Sequence, residues 1–341
     1  MPADDEAALL QAAVAGDPHS FGQVIEPYRR EILLYGYRLL GSLQDSEDLT
    51  QEVCFRAWTR LRTFEGRTSF CAWLYRIATN LSFDLLRQRQ RRSLPNLTVP
   101  PASLADPQPP PSTEPLWLEP LPDTLLLDVE GEPETLALRR ESVTLAFLVV
   151  LQALPARQRA ILLLRDVLDW SAREVAELLD LSITAVESAL QRARVTLRQQ
   201  YHPHGSKAIA RSPLDPTTED ILRRYITAWE AANIDELVAL LHEDATLSMP
   251  PFPWWFQGRV TILGFFTHKW TGAVHHAWRL MPSAANAQPA YVAYHLVSPG
   301  LYRVENISLL TIEAGRIAAI TSFLNPVLFQ PFDVPREINA V

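Results

Sequence analysis

The chain lacks the features that mark exported, disulfide-bonded or membrane-spanning proteins. Its 341 residues include two cysteines, Cys54 and Cys71, and neither belongs to a Cys-x-x-Cys or Cys/His cluster, so we expect reduced, packed thiols and no metal site. No apolar run approaches the roughly 20 residues of a transmembrane helix. The opening residues, MPADDEAALL, have neither the basic segment nor the apolar run of a signal peptide. These absences predict a globular protein of the cytoplasm with no membrane partner.

Positive charge is also scarce. There are 31 Lys and Arg against 39 Asp and Glu, a formal net charge of −8, which counts against a protein that binds DNA on its own. The charge is unevenly spread, however. No Lys or Arg occurs between positions 93 and 138, whereas Arg87, Arg89, Arg91 and Arg92 crowd just before that gap. The local distribution therefore matters more than the total.

Hydrophobic periodicity and composition divide the sequence into five parts. Residues 5–92 and 135–201 show helical periodicity, and 217–332 mixes one helix with strand-like runs. Residues 93–134 are acidic and hold eleven of the 27 prolines of the chain, which predicts an extended, self-repelling linker. A second linker spans 202–216. We expect two all-α domains, a helical bundle and a helix-turn-helix, followed by an α+β domain.

The first helical part leaves one acidic face unpaired. A helix beginning near Asp45 packs Leu49, Val53 and Ala57 inward, and its other face carries Asp48, Gln51 and Glu52. Taken alone, such a face is typical of a solvated helix surface.

The following helix, predicted over 69–89, has a polar ridge opposite its apolar stripe. Arg76, Asn80, Asp84 and Arg87 recur at spacings of four, four and three residues. Trp73 fits either a stacking surface or the core. The arginines from 87 to 92 suit contacts with a nucleic-acid backbone or a merely solvated run.

The strongest local signal is a helix-turn-helix. Ser171 and Glu174 form a capping box, residues 180–182 form the turn, and Ser182 can cap a second helix that buries Val186, Leu190, Ala193 and Leu197. A second helix of this kind enters the major groove. Its outward residues for base contacts are Thr184, Ala185, Glu187, Ser188, Gln191 and Arg192, with Arg194 and Arg198 directed at phosphates. An ordinary helical hairpin is the alternative.

Two long segments together resemble the extracytoplasmic-function (ECF) sigma factors of the sigma-70 superfamily. GSLQDSEDLTQEVCFRAWTRLRTFEGRTSFCAWLYRIATNLSFDLLRQRQRR resembles their region 2, and ALPARQRAILLLRDVLDWSAREVAELLDLSITAVESALQRARVTL resembles their region 4. The resemblance implies a transcription initiation factor that binds core RNA polymerase and promoter DNA. A sigma factor reads DNA as part of a larger assembly, so its own net charge need not be positive.

The resemblance also implies roles for residues. Asp48, Gln51 and Glu52 would bind the β′ clamp helices of the polymerase, and region 4 would meet the β flap. Reading of the promoter −10 element would use Arg67, Trp73, Arg76, Asn80, Asp84 and Arg87, with the turn 65–69 holding an extruded base. Reading of the −35 element would use the outward residues of the second helix together with Arg194.

Two positions depart from the family pattern, and the linker stays open to two interpretations. Asp180 stands where glycine is common, and Glu187 where a basic residue is common, which leaves the −35 sequence undetermined. The acidic linker would either imitate nucleic acid in the polymerase cleft or act as a passive tether. Trp117 and Leu118 within it suggest that part of it docks on a surface.

Residues 217–332 resemble the SnoaL-like, nuclear transport factor 2-like fold, a cone-shaped α+β domain. The resemblance rests on YITAWEAANIDELVALLHEDATLSMP with the following PPFPWWFQG, and on ISLLTIEAGRIAAITSFLNP. Trp254, Trp255, Trp278 and Tyr291 are candidates to line a small-molecule pocket, although core packing suits most of them. Relatives of this fold include enzymes, but the candidate acids and bases show no dyad spacing, so we predict no catalytic residue, no cofactor and a regulatory domain. The candidates are Asp244, His242, His268, His275, His276 and His295. An enzyme fused to a DNA-binding regulator is the rival interpretation.

Overall fold

The computed structural model describes residues 3–64, 66, 68–88, 91–113, 116–126, 133–200, 216–270 and 278–339. The chain forms two compact units, each built from two stretches of sequence. The first unit contains Met1–Arg92 and Ala146–His202, and the second contains Ser93–Leu145 and Pro203–Val341. The Pro-rich segment is therefore grouped with the C-terminal domain.

The first unit is helical. Its helices are α1 (Ala3–Val14), α2 (Pro18–Leu40), α3 (Leu43–Arg60), α4 (Phe70–Gln88), α6 (Leu145–Ala153), α7 (Ala156–Leu162), α8 (Ala172–Leu179) and α9 (Ile183–Gln200), and the first residue of α6 belongs to the second unit. Side-chain caps set several starts: Asp17 accepts from the N–H groups of His19 and Ser20, and Ser42 accepts from Asp45. Gly41 ends α2 with a φ of 71°.

The bundle of α2, α3 and α4 buries the predicted stripes. Leu49, Val53 and Ala57 on α3 are at most 2% exposed. Helices α2 and α3 cross at Gly36, where a Cβ would lie 2.7 Å from the Leu49 side chain, so only glycine allows this approach without rearrangement. On α2, the buried Tyr35 hydroxyl shares a hydrogen bond of 2.9 Å with Thr79 of α4.

The helix-turn-helix is formed as predicted. The Ser171 hydroxyl accepts from the Glu174 N–H at 3.2 Å, and the Glu174 carboxylate accepts from the Ser171 N–H at 2.8 Å, which confirms the capping box. Asp180 takes the left-handed conformation, with φ 56° and ψ 50°. Ser182 caps α9 by accepting from Ala185 at 3.1 Å. Before α8, α7 continues into a π-helical turn, Leu163–Val167.

Within the first unit, the bundle of α2, α3 and α4 contacts α7 and the helix-turn-helix. Arg159 of α7 is 4% exposed, and its guanidinium donates to the Leu39 carbonyl at the end of α2 and to the Gln152 side chain at 2.7 Å. The ring of Tyr75 lies 5.1 Å from that of Trp170. Arg76 of α4 pairs with Asp180 of the turn at 3.3 Å. Burial lowers the pKa of the Arg159 guanidinium, which still stays charged at neutral pH.

The second unit is built on one twisted sheet. Its strands are β1 (Leu241–Ser248), β2 (Trp255–Gln257), β3 (Trp278–Ala285), β4 (Gln288–Ser298), β5 (Leu301–Glu313), β6 (Arg316–Phe323) and β7 (Glu337–Asn339). The order is β2-β1-β6-β5-β4-β3, with β7 on β5, and only β1 and β6 pair in parallel among these strands. Strands β5 and β6 form a hairpin, in which Glu313 pairs with Arg316.

Four helices accompany the sheet. They are α5 (Pro133–Glu141), α10 (Pro216–Glu230), α11 (Ile234–Leu240) and α12 (Arg259–Trp270). An apolar core lies between the sheet and helices α10, α11 and α12, with Tyr225, Leu237, Phe256 and Ile262 fully buried in it. Asn233 starts α11 by accepting from the Glu236 N–H at 3.1 Å. The predicted α+β class is confirmed.

The Pro-rich segment packs on this domain. We call residues 93–126 the strap. Ala102 donates to the Trp255 carbonyl at 2.8 Å, Ser112 donates to the Pro251 carbonyl at 2.8 Å, and the Trp255 indole donates to the Val99 carbonyl at 2.8 Å. Trp117 is 7% exposed and Leu118 is fully buried, so the expectation that these two mark a docking segment is confirmed.

Candidate polymerase and nucleic-acid interfaces

The predicted polymerase-binding residues lie on the outward face of α3. Asp48 and Gln51 are exposed, and Glu52 is half-buried with its carboxylate 2.6 Å from the Arg56 guanidinium. Phe55, one helical turn beyond Gln51, is 62% exposed. A large bare aromatic ring beside acidic and amide groups is typical of an interface rather than of plain solvated surface. Sequence analysis missed Phe55, although its spacing of seven from Asp48 places it on the same face.

The predicted −10 ridge runs along α4. Arg76, Asn80, Asp84 and Arg87 are all exposed, so the ridge opposite the apolar stripe is confirmed. Asp84 and Arg87 form an ion pair with each other. Arg67 and Glu65, predicted for the turn before α4, lie outside the described residues.

Trp73 belongs to an aromatic cluster at the start of α4. Its ring lies 5.3 Å from Phe64 and 5.9 Å from Phe70, and the residue is partly exposed. The two interpretations of this residue therefore coexist, because one part of the ring packs and another remains open to a partner.

The arginines between 87 and 92 have different environments. Arg92 is 11% exposed and pairs with Asp45 at 2.7 Å, so this arginine ties the end of the run to the start of α3. Arg87 and Arg91 are exposed. Arg89 lies outside the described residues. Contact with a nucleic-acid backbone therefore stays a prediction for the exposed Arg87 and Arg91. Arg92 instead forms an ion pair within the fold.

The second helix of the helix-turn-helix points its predicted reading residues outward. Thr184, Glu187 and Ser188 are exposed, as are Gln191 and Arg192, and Ala185 is half-buried. Val186, Leu190 and Ala193 are buried as predicted, whereas Leu197 is only partly buried.

Arg194 differs from its neighbours on that helix. Its guanidinium makes two hydrogen bonds with Asp166, at 2.9 and 2.6 Å, and these bonds raise its pKa. The pair joins α9 to the π-helical turn. A guanidinium held this way positions the helix and has fewer free donors for a phosphate.

The candidate pocket residues of the C-terminal domain do not form one site. Trp254 lines a cavity beside the strap, and Trp255 is committed to the Val99 carbonyl. Trp278 lies against His295, with ring centroids 4.8 Å apart. Tyr291 is buried, and its hydroxyl lies 3.3 Å from that of Tyr225. Burial raises the pKa of Tyr291.

The candidate acids and bases of that domain are mostly on its surface. His242, Asp244 and His268 are exposed, and His275 and His276 lie outside the described residues. The His242 ring accepts from the Asp244 backbone N–H at 3.3 Å. An exposed acid or base lacks the desolvation that tunes a catalytic group.

Both cysteines are half-buried rather than fully in the core. Burial raises the pKa of Cys71 to about 12 and also raises that of Cys54, which makes both thiols poor nucleophiles. Within the described parts of the chain, no helix is long and apolar enough to span a bilayer.

Three families match successive parts of the chain. Sigma-70 region 2 matches residues 24–92, Sigma-70 region 4 matches residues 144–197, and the SnoaL-like domain matches residues 222–320. These spans contain α3 and α4, the helix-turn-helix, and most of the sheet, respectively.

Curated relatives extend the similarity to most of the chain. The ECF RNA polymerase sigma factor SigG of Mycobacterium tuberculosis is 40% identical over 318 residues, covering 93% of this chain and 85% of SigG. SigW of Bacillus subtilis is 29% identical over 187 residues, 54% of this chain and 90% of SigW.

A solved structure shares the fold. The crystal structure of the ECF sigma factor SigJ of Mycobacterium tuberculosis superposes with a TM-score of 0.59 at 22% identity, covering 91% of this chain and 99% of that one.

Proposed function

The chain belongs to the ECF sigma factors of RNA polymerase, and on that premise we propose which surfaces serve its function and how the C-terminal domain regulates it. As a sigma factor it works with core RNA polymerase and promoter DNA and directs promoter-specific initiation; it is not itself an enzyme. It acts inside the cell, where the polymerase is.

The outward face of α3 is the proposed docking surface for the β′ clamp helices. The observation that carries this proposal is the group formed by Asp48, Gln51 and the bare ring of Phe55, exposed on a helix whose opposite face is fully packed. Phe55 supplies apolar area, and the polar groups set orientation. Region 4 is proposed to meet the β flap.

Helices α4 and α9 are the proposed readers of the promoter. The α4 ridge, with Arg67 and Trp73, would contact the unwound −10 strand by charge and stacking. The α9 residues from Thr184 to Arg192 would enter the major groove at −35, with Arg194 holding the helix through Asp166.

The arrangement of the first unit corresponds to a resting form in this proposal. The −10 and −35 elements are about 25 base pairs apart, roughly 85 Å of duplex at 3.4 Å per pair. Arg76 of α4 and Asp180 beside α9 are 3.3 Å apart. The bundle that contains α4 and the helix-turn-helix that contains α9 must therefore separate before the −10 and −35 elements are read at once.

The strap gives the C-terminal domain control over that separation. It is part of the only covalent connection between α4 and α6, and it supplies length when free, up to ~3.3 Å per residue. Docked on the sheet domain, it supplies less. We infer that docking favours the resting form and that release favours initiation, with a small molecule in the C-terminal domain as a candidate signal.

Run-off transcription with purified core polymerase tests the function. The full chain is compared with a chain ending at Tyr201, which lacks the C-terminal domain. Initiation by either supports the sigma role, and a higher yield from the shorter chain supports restraint by the domain. No initiation at any candidate promoter by either chain would overturn the sigma role. Turnover of a small molecule by residues 217–341 would favour the enzyme alternative.

The docking surface has its own test. Gln51→Ala with Glu52→Ala should weaken binding of the full chain to core polymerase at least about tenfold. The matched control is Gln23→Ala with Glu26→Ala, which makes the same two changes at exposed positions of α2. Equal affinities of both double variants, with unchanged circular dichroism, would remove the α3 face from the interface.

A further inference from the structure

A cavity in the second unit lies between the strap and α12. It has a volume of about 580 Å³ and is lined on the strap side by Leu104 and residues 106–108, and on the domain side chiefly by Trp254, Phe256, Phe265 and His268. The volume falls in the range of small-molecule sites.

Three aromatic side chains lie on the domain side of the cavity. The Phe256 and Phe265 rings are 4.8 Å apart, and Trp254 lies 5.0 Å from the first and 5.7 Å from the second. Phe256 is fully buried and Phe265 is 9% exposed, so the core holds these rings in place. Aromatic rings favour contact with the face or edge of another conjugated ring system over contact with a branched or charged group.

Trp254 also carries a hydrogen-bond donor, its indole N–H. The Trp254 indole N–H is buried, and no acceptor among the described residues pairs with it. A buried donor without a partner is rare and destabilising, so an acceptor from outside the chain would be favoured there. Trp255, the next residue, has its N–H satisfied by Val99.

On the strap side, Leu104 closes the cavity against α12. A Cβ on Gly264 of α12 would lie 2.5 Å from the Leu104 Cδ1, so the leucine closes directly onto bare helix backbone. The same leucine is 52% exposed. Because about half of its surface remains exposed to water, the Leu104 side chain gains little hydrophobic stabilisation from this position. It can therefore move aside for a ligand that covers it.

We propose that this cavity binds a small, flat, conjugated molecule carrying a hydrogen-bond acceptor, and that the bound molecule holds the strap on the C-terminal domain. The acceptor takes the Trp254 N–H as Leu104 moves aside, and the polar rim of Asp106, Gln108 and His268 faces the ligand's solvent edge. Because the ligand touches both strap and domain, it binds the docked state more tightly than the released state and shifts the population towards docking.

This inference deepens the proposed regulatory role of the C-terminal domain. Its test uses no polymerase, so a failure of the pocket and a failure of the sigma role are distinguishable. The probe is 6-propionyl-2-dimethylaminonaphthalene, a neutral flat ketone whose fluorescence shifts to the blue in apolar surroundings. Titration of the full chain should give saturable binding with blue-shifted emission.

Two variants with matched controls locate the site. Leu104→Trp fills the cavity from the strap and should weaken probe binding at least about tenfold, whereas Leu97→Trp, at a strap residue 53% exposed and outside the cavity, should leave it unchanged. Trp254→Phe removes the N–H but keeps a ring and should weaken binding about fivefold. Trp278→Phe makes the same change outside the cavity and should have no effect.

Hydrogen exchange tests the effect on the strap. Saturating probe should slow exchange of the Ala102 and Ser112 amides, which donate from the strap to the domain. No saturable binding, or equal binding by Leu104→Trp and Leu97→Trp, would overturn the proposed site. Unchanged or faster exchange of those amides with the site occupied would overturn the proposed hold on the strap.

Discussion

Asn286 is the side chain on which docking of the strap depends most directly. It is fully buried in the turn between β3 and β4. Its amide oxygen accepts from the Leu121 N–H at 2.9 Å, and its amide nitrogen donates to the Val143 carbonyl at 2.6 Å. One side chain thus joins the strap and the short segment between α5 and α6 to the sheet. Its own N–H also donates to the Leu121 carbonyl at 2.8 Å.

Replacement by glycine isolates these side-chain bonds. Asn286 has a φ of 56°, which glycine adopts without strain, so Asn286→Gly preserves the turn and the backbone bond. The change leaves the buried Leu121 N–H and Val143 carbonyl without the Asn286 side chain as a partner. Each buried group that stays unsatisfied costs ~1–3 kcal/mol. Water entering the vacated space would recover part of this loss. We expect the free energy of unfolding of the second unit to fall by about 2–4 kcal/mol.

The variant is measured by urea unfolding and by amide exchange at Leu121. Released strap exposes Leu118 and Leu121, both fully buried, so chymotrypsin should cut between 116 and 126 faster than in the parent chain. Asn233→Gly is the matched control, because that asparagine caps α11 and a change to glycine there costs only a few tenths of a kcal/mol. A loss below ~0.5 kcal/mol for Asn286→Gly, or cleavage no faster than in the control, would refute the reasoning.

Two further predictions concern charge and capping. Burial raises the pKa of Asp123 to about 6, so its folded form binds more protons than the unfolded form, and the free energy of unfolding should fall as pH rises from about 4 to about 6 and stay lower above that. Asp123→Asn keeps an acceptor for the Ala287 N–H, which bonds it at 2.8 Å, and should remove this dependence and stabilise the chain by about 1–3 kcal/mol at pH 7 in urea unfolding; an unchanged pH profile would contradict it. Ser171→Ala removes the cap of α8 and should lower the stability of the first unit by ~1 kcal/mol in thermal unfolding, whereas Ser188→Ala, exposed on α9, should not. Equal melting temperatures for these two serine variants would show that the capping box contributes nothing.

Local patterns predicted the helical parts well because their causes are local. The buried stripe of α3, the ridge of α4 and the capping box of α8 follow from residues three or four positions apart. The left-handed conformation of Asp180 in the turn was predictable because short polar residues such as aspartate tolerate that backbone conformation. The elements missed had no such signal: α12 is apolar on several faces, and β3 contains a proline and small residues.

What the sequence by itself determined is therefore the kind of protein and the surfaces of its separate helices. Only the tertiary structure decided which partners those surfaces meet. Arg194 pairs with Asp166, 28 residues away, and Leu121 bonds Asn286, 165 residues away. No periodicity encodes such pairs, because they depend on how finished elements pack. The Pro-rich segment shows this most clearly, since its composition predicts an extended chain, and only the sheet domain supplies the surface that holds it.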